Sequence, residues 1–466
     1  MTPHLSLEYR SALADAVGDE HGLNPADLDL IAPRVAEIVA QIERERAAGK
    51  RRYRDLPFDE AMLRDVVAAV TRRRGGCANL VVLGIGGSAL GNIALQTALN
   101  PATYNLLPAD RRGGPRLFVM DNVDPVQFAA ALDFIEPELD RTCFNVISKS
   151  GETAETAAQF LIARDLLQHR LGRDRAREAI LVTTDPKSGT MREIVNAEGY
   201  ESLPVPDGVG GRFSVLSAVG LFSAGMCGID LAAVLGGARA MSESIARPAL
   251  RDNPAALIAA IHYMFYQRGK RLHVMMPYAA ALKDLADWYR QLWAESLGKR
   301  RGLDGREVFV GPTPIKALGA TDQHSQVQLY REGPNDKVFT FLVVDRFERD
   351  VLIPPAAAAD VPEVMRYLCG ASLGRLLNAE QAATEYALTA SQRPCLSIRF
   401  EAVTPEAVGA FFLLYEAATS IAGLLFGINA YDQPAVQAGK DGTFALMGRT
   451  GYEGLAAQIH AKKVPT

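Results

Sequence analysis

The chain has 466 residues, more than one hydrophobic core ordinarily supports, so two domains with decorations are expected. Its 50 Lys and Arg stand against 54 Asp and Glu, a net charge of −4, so no global field recruits nucleic acid or an anionic membrane, and any anionic ligand needs a local site. The five cysteines are widely spaced, with no C-x-x-C pair and no histidine cluster at ligand spacing, which predicts reduced thiols in a cytoplasm and no metal.

In chain order, the first ten residues carry charge early and lack the apolar core of a signal peptide. Residues 1–70 are expected to be a helical segment, with Pro25 and Ala26 after Asn24 opening one helix. After the breaker Gly75-Gly76, apolar runs at 79–83, 116–120, 143–148 and 180–184 are each followed by a helical pattern, which predicts a first parallel sheet covered by helices across 71–250. A second series, with a helix at 254–267 and strands at 272–276, 308–310, 338–344 and 395–400, repeats that architecture across 251–430. The alanine-rich stretch 354–359 reads as a connector. Residues 407–428 are apolar enough to suggest a membrane span, but Glu416, Thr419 and Ser420 near the middle and the Thr404-Pro405-Glu406 start predict a buried helix. Residues 431–466 form a C-terminal segment carrying Lys440.

The chemistry-bearing stretches fall at strand ends. The first strand runs into Gly84-Ile85-Gly86-Gly87-Ser88, a glycine-rich turn opening a helix, where backbone N–H groups and the Ser88 hydroxyl suit a phosphate; a plain tight turn is the alternative. The third delivers Ser148-Lys149-Ser150-Gly151-Glu152-Thr153, with three hydroxyls in six residues, more than ordinary N-capping requires. Ligands of open parallel sheets bind beyond the carboxyl ends of strands, so both turns should face one crevice. Arg212 follows Gly210-Gly211 and precedes an apolar helix, a setting that suits an anion or a developing oxyanion but also an ordinary surface arginine. Gln291 and Glu295 share a helix face, and an apolar surround of Leu292, Trp293, Ala294 and Leu297 would make Glu295 a base usable near neutrality. His324, in a polar segment, reads as a proton carrier or a capping histidine, and Lys440 by itself passes for a surface lysine.

These six stretches, in this order and at these separations, resemble the glucose-6-phosphate isomerase (phosphoglucose isomerase) family in its compact bacterial form; the Gly-Gly-Arg-Phe-Ser and Asp-Gln segments resemble that family's two signatures. The resemblance implies two sugar-isomerase α/β/α sandwich domains with largely parallel sheets, a helical N-terminal preface and a C-terminal helical extension, in a homodimer. It implies that Glu295 moves a proton between C2 and C1 through a cis-enediolate, that Arg212 steadies the enediolate charge, and that His324 and Lys440 open the sugar ring, with the histidine coming from the neighbouring subunit. It assigns Ser88, Ser148, Lys149, Ser150 and Thr153 to the phosphate site and its border, Gly87 and Gly211 to substrate binding, and Gln291 and Gln433 to ligand contact. Two departures, Gln437 where many members have glutamate and Leu297 where asparagine is frequent, bear on local hydrogen bonding.

The implied activity is reversible conversion of glucose 6-phosphate to fructose 6-phosphate, in glycolysis and gluconeogenesis, with no metal or organic cofactor. A non-catalytic sugar-phosphate sensor would need the 148–153 loop without Glu295, His324 or Lys440, a dual isomerase would also take mannose 6-phosphate, and an amidotransferase half would need an ammonia-generating domain. Because no His/Cys/Asp/Glu set at ligand spacing appears in these motifs, treatment with a chelator is expected to leave the isomerisation rate unchanged in a coupled assay; a loss restored by Mg²⁺ or Zn²⁺ would contradict this.

Overall fold

The computed structural model describes residues 4–355 and 361–462; Ala356 to Ala359 of the expected connector lie outside them. Twelve strands occur among the described residues: β1 (Leu5–Glu8), β2 (Asn79–Leu83), β3 (Arg116–Met120), β4 (Thr142–Ile147), β5 (Ile180–Thr184), β6 (Glu201–Pro204), β7 (Leu272–Pro277), β8 (Lys299–Arg301), β9 (Glu307–Val310), β10 (Thr313–Lys316), β11 (Lys337–Val344) and β12 (Cys395–Phe400). They form a five-stranded sheet in the order β3-β2-β4-β5-β6, a second in the order β10-β7-β11-β12-β1, and the two-stranded hairpin β8-β9. The first sheet is entirely parallel, and β1 is the antiparallel exception in the second.

Three expectations are corrected here. Residues 1–70 are not all helix, because Leu5–Glu8 pairs with β12 through Leu5↔Phe400 and Glu8↔Ser397 and so belongs to the second sheet. The run 308–310 is a strand, but it pairs with Lys299–Arg301 outside the sheet; the parallel neighbour of β7 is Thr313–Lys316 instead. The first sheet also carries β6 at its edge. The helix opened by Pro25 runs Pro25–Ala47, and the Asn24 N–H donates to the Asp27 carboxylate to close its first turn.

Side-chain alternation along the buried strands sorts the core into three parts. Leu80, Val82, Cys143, Leu181, Met275, Val338, Leu342, Leu396 and Ile398 face one continuous core shared by both sheets. The opposite faces bury Val81, Leu83, Phe144, Val146, Ile180 and Val182 on the first sheet, and Val274, Met276, Phe339 and Phe341 on the second. Helix Pro405–Leu425 lies in the shared core, with 94% of its most apolar 18-residue window buried, which is where its length and hydrophobicity go. Glu416 near its centre is fully buried beside the core, and burial pushes its carboxyl well up, against the opposing pull of Arg54.

The order of the first sheet places the site. From β2 the chain crosses to the edge strand β3, then returns to β4 on the other side of β2 and continues to β5. The connections after β2 and β4 therefore diverge, and the gap beyond their carboxyl ends is a topological switch point. The Gly84–Ser88 turn and the 148–153 loop both leave the sheet there.

Candidate active site

Two adjoining lobes, of about 650 and 350 Å³, open at this point and share Ile85, Ser88, Thr153, Gly211, Gln433 and Lys440 in their walls. Ser148, Lys149 and Ser150 line the larger lobe. Gly87, Arg212, Gln291 and Glu295 line the smaller one. Twelve of the thirteen residues singled out in the sequence thus come together, and the exception is His324.

In the larger lobe, Ser148 Oγ accepts from the Gly151 N–H at 3.1 Å and Ser150 Oγ accepts from the Glu152 N–H at 3.2 Å. Both hydroxyls act as acceptors toward the backbone, which leaves their hydrogens to donate outward. Thr153 is the N-cap of the 18-residue helix Ala154–Leu171 and makes no capping bond with its side chain, so its hydroxyl too is available at a helix N-terminus. Gly151 sits at φ +80°, and a Cβ there would come within 2.3 Å of the Met191 backbone nitrogen, so the loop needs glycine at this turn. Lys149 Nζ donates to the Val209 carbonyl at 3.3 Å, leaving an ammonium at the lobe wall. Hydroxyls, a helix start and a lysine make a site for a phosphate monoester.

Gly87 borders the smaller lobe and also packs tightly against protein: a Cβ at 87 would lie 2.3 Å from the Gly211 carbonyl carbon and 2.7 Å from the Arg212 nitrogen. Gly87 therefore lets the turn after β2 press against the turn that carries Arg212. Gly87→Ala is expected to force the two backbones apart, lower the thermal unfolding temperature and weaken phosphate-monoester binding by about tenfold or more; unchanged binding would show that the contact does not shape the lobe.

Arg212 is held inside the protein, 4% exposed, in the turn Gly211–Phe213. Its Nε donates to Ser296 Oγ at 2.7 Å, Nη1 to Gln433 Oε1 at 2.9 Å, and Nη2 to the carbonyls of Ala430 at 2.8 Å and Asp432 at 3.1 Å. Its Nη1 also stands 3.4 Å from Glu295 Oε1. Burial pulls this guanidinium below its ordinary value, with Glu295, Asp432 and Tyr431 acting in the opposite sense. With four hydrogens committed at 2.7–3.1 Å, only the Nη1 hydrogen turned toward Glu295 is loosely held.

Glu295 does not have the apolar surround expected for it. In helix Lys283–Leu297 its neighbours Leu292, Trp293 and Leu297 are fully buried in the shared core, while the Glu295 side chain, 25% exposed, faces the smaller lobe. Its Oε2 accepts from Gln291 Nε2 at 3.1 Å, one turn back on the same face. Gln291 Oε1 is buried with no hydrogen-bond partner, an acceptor left for a ligand. The substitution Leu297 lies in the core and touches none of this, and Gln437 bonds Asp441 at 2.8 Å on the surface. Lys440, in helix Gln437–Leu446, is exposed and borders both lobes.

His324, itself exposed, ends the turn Thr321–His324 and is in the wall of neither lobe. Ser296, Lys299, Ala430 and Asp432, which contact Arg212 or Glu295, were not singled out. Ser296 and Asp432 adjoin residues that were, and Lys299 stands one turn beyond Glu295, a spacing that could have marked it as a C-terminal cap.

A family model described as phosphoglucose isomerase matches residues 70–447. Curated relatives named glucose-6-phosphate isomerase, from Carboxydothermus hydrogenoformans and Rubrobacter xylanophilus, are each 44% identical; the first match covers 95% of both chains, the second 96% of this chain and 99% of the relative. A solved structure of a hypothetical protein from Thermus thermophilus matches with a TM-score of 0.84 at 34% identity, over 95% of this chain and all of that one. A glucose-6-phosphate isomerase from Chlamydia trachomatis shares the fold with a TM-score of 0.80 at 22% identity, over 99% of this chain and 92% of that one.

Proposed function

The chain belongs to the phosphoglucose isomerase family and interconverts glucose 6-phosphate and fructose 6-phosphate, and from that premise we propose how its residues divide the work. The observation that carries the assignment is the meeting of Glu295 and Arg212, 3.4 Å apart, in a lobe continuous with the hydroxyl-rich loop.

The phosphate binds among Ser148, Ser150, Thr153 and Lys149, fixing the sugar so that its reacting carbons reach the smaller lobe. Lys440 and His324 open the ring, one taking the O1 proton while the other gives a proton to the ring oxygen. The Glu295 carboxylate then removes the C2 proton as the C1 carbonyl electron pair moves onto O1, giving a cis-enediolate. The charge on that intermediate faces the Arg212 guanidinium, whose loosely held Nη1 hydrogen turns to it. The hydroxyl proton then passes from O2 to the neighbouring O1, and Glu295 returns its proton to C1 as the C2 carbonyl forms. Gln291 and Gln433 orient the carboxylate and the guanidinium and contact the sugar. A coupled assay on glucose 6-phosphate and mannose 6-phosphate tests the assignment: turnover of the first is expected, and turnover of neither would refute it.

The working protein is a cytoplasmic homodimer whose sites are composite, with His324 supplied by the second subunit. Two observations support this: His324 lies exposed outside the cleft, and the surface carries exposed Leu303, Val308 and Phe309 on the β8-β9 hairpin together with Val364, Met365 and Tyr367. Glu295→Gln and His324→Ala homodimers should each be nearly inactive. A mixed dimer would hold one site with both defects and one with neither. With random pairing half of the dimers are mixed, so refolding the two variants together should recover about a quarter of parent activity. No gain despite demonstrated mixed dimers would refute the shared site.

A further inference from the structure

Lys299 lies one turn beyond Glu295, at the start of β8, and is buried although it touches no lobe. Its Nζ donates to the Glu295 carbonyl at 2.7 Å and stands 3.7 Å from Asp432 Oδ1. Asp432 Oδ2 accepts from Asn429 Nδ2 at 2.9 Å, and its backbone carbonyl accepts from Arg212. One ammonium therefore ties the helix end that carries the base to the strap that holds the guanidinium. Burial lowers the Lys299 ammonium from its ordinary value, with Arg212 adding to the effect and Asp432 and Glu295 opposing it.

The charges explain why this position needs a cation. Arg212 interacts with two carboxylates, Glu295 and Asp432, but only Glu295 has a role in the reaction assigned above. An unopposed Asp432 carboxylate would compete for the guanidinium field that the enediolate needs. We propose that Lys299 is a positioning residue for the isomerisation, fixing the carbonyl of Glu295 and occupying Asp432 so that the remaining charge of Arg212 is directed at the substrate. This rests on the reading of Glu295 as base and Arg212 as charge stabiliser.

A structural staple and a charge partner differ in what rescues them. Lys299→Met is expected to lower kcat by about 30-fold or more while KM for fructose 6-phosphate stays within about threefold, because the phosphate loop is untouched. Adding Asp432→Asn, which removes the competing charge and keeps the backbone carbonyl, is expected to restore at least about tenfold over Lys299→Met alone. Circular dichroism and thermal unfolding establish that each variant is folded; should Lys299→Met not fold, Lys299→Gln, which keeps one N–H for the Glu295 carbonyl, carries the same comparison. A folded single variant with parental kcat, or a double variant no faster than the single, would overturn the proposal. If Glu295→Gln is inactive while Lys299→Met is fully active, only the role of Lys299 fails; if Glu295→Gln is itself active, the reading beneath it fails.

Discussion

Replacing Glu295 with glutamine is expected to lower kcat by about 10³-fold or more, within the span that a positioned base contributes. The amide keeps the shape of the side chain and can still meet Gln291 Nε2, now 3.1 Å from Oε2, but it has no lone pair basic enough to take the C2 proton. The phosphate loop lies in the other lobe, so calorimetry should find fructose 6-phosphate bound with a Kd within about threefold of the parent. Loss of a deuterium label from C2 into solvent should stop together with turnover. Residual activity above about a tenth of the parent would require a different base.

Arg212 should be costly in two ways, because one side chain serves both catalysis and architecture. Arg212→Met removes the cation from the enediolate, worth about 10²- to 10³-fold in rate by analogy with loss of one oxyanion donor. It also leaves Ser296 Oγ, Gln433 Oε1 and the carbonyls of Ala430 and Asp432 without their donors, a loss of stability on the order of 3 kcal/mol. Arg212→Lys keeps the charge but not the fork, so its single ammonium cannot reach four acceptors spread around a planar group. Its rate should fall by about tenfold or more, and its unfolding temperature should lie between those of Arg212→Met and the parent. Parental activity in Arg212→Lys would mean that charge alone matters and that the fork is only structural.

What could be read from the sequence follows from burial. Strands covered on both faces, such as β2, β4, β5 and β11, are nearly continuous apolar runs and stand out. The strands of the two five-stranded sheets that the pattern does not reveal, β1, β6 and β10, are all four residues long and all lie at sheet edges, and the three-residue β8 of the hairpin is shorter still. β6 and β10 also contain Pro204 and Pro314, tolerated where one side of the strand needs no ladder bond. The site was legible where chemistry and local pattern coincide, as in the 148–153 loop and in the Gln291 and Glu295 pair. Lys299 was not, because its spacing from Glu295 marks no more than a helix cap, while the partner that gives it a charge role lies 133 positions away (432 − 299), where no local spacing reports it. The surroundings of Glu295 were misjudged for a related reason. Adjacent helical residues point in different directions, so apolar neighbours in sequence need not be neighbours in space.

The pairing of β1 with β12 also sets the order in which the molecule can be completed during synthesis. Leu5 is made 395 positions before its partner Phe400 (400 − 5), a delay of about 20 to 80 s at ribosomal rates. The five strands of the first sheet all precede residue 205, and they can pair while the rest of the chain is still being made. Their inner face can be covered early as well, because Ala218–Met226, which packs on β2 and on the helix Glu60–Arg74, precedes residue 227, whereas the helix Pro405–Leu425, which packs on Leu231–Ile245 and Pro254–Gln267, emerges only after β12. Until then the nascent chain carries an unpaired strand, β1, and the uncovered apolar faces of Leu231–Ile245 and Pro254–Gln267, features that recruit wrong partners. The second sheet therefore closes late, when β12 arrives to pair with a strand made 395 positions earlier.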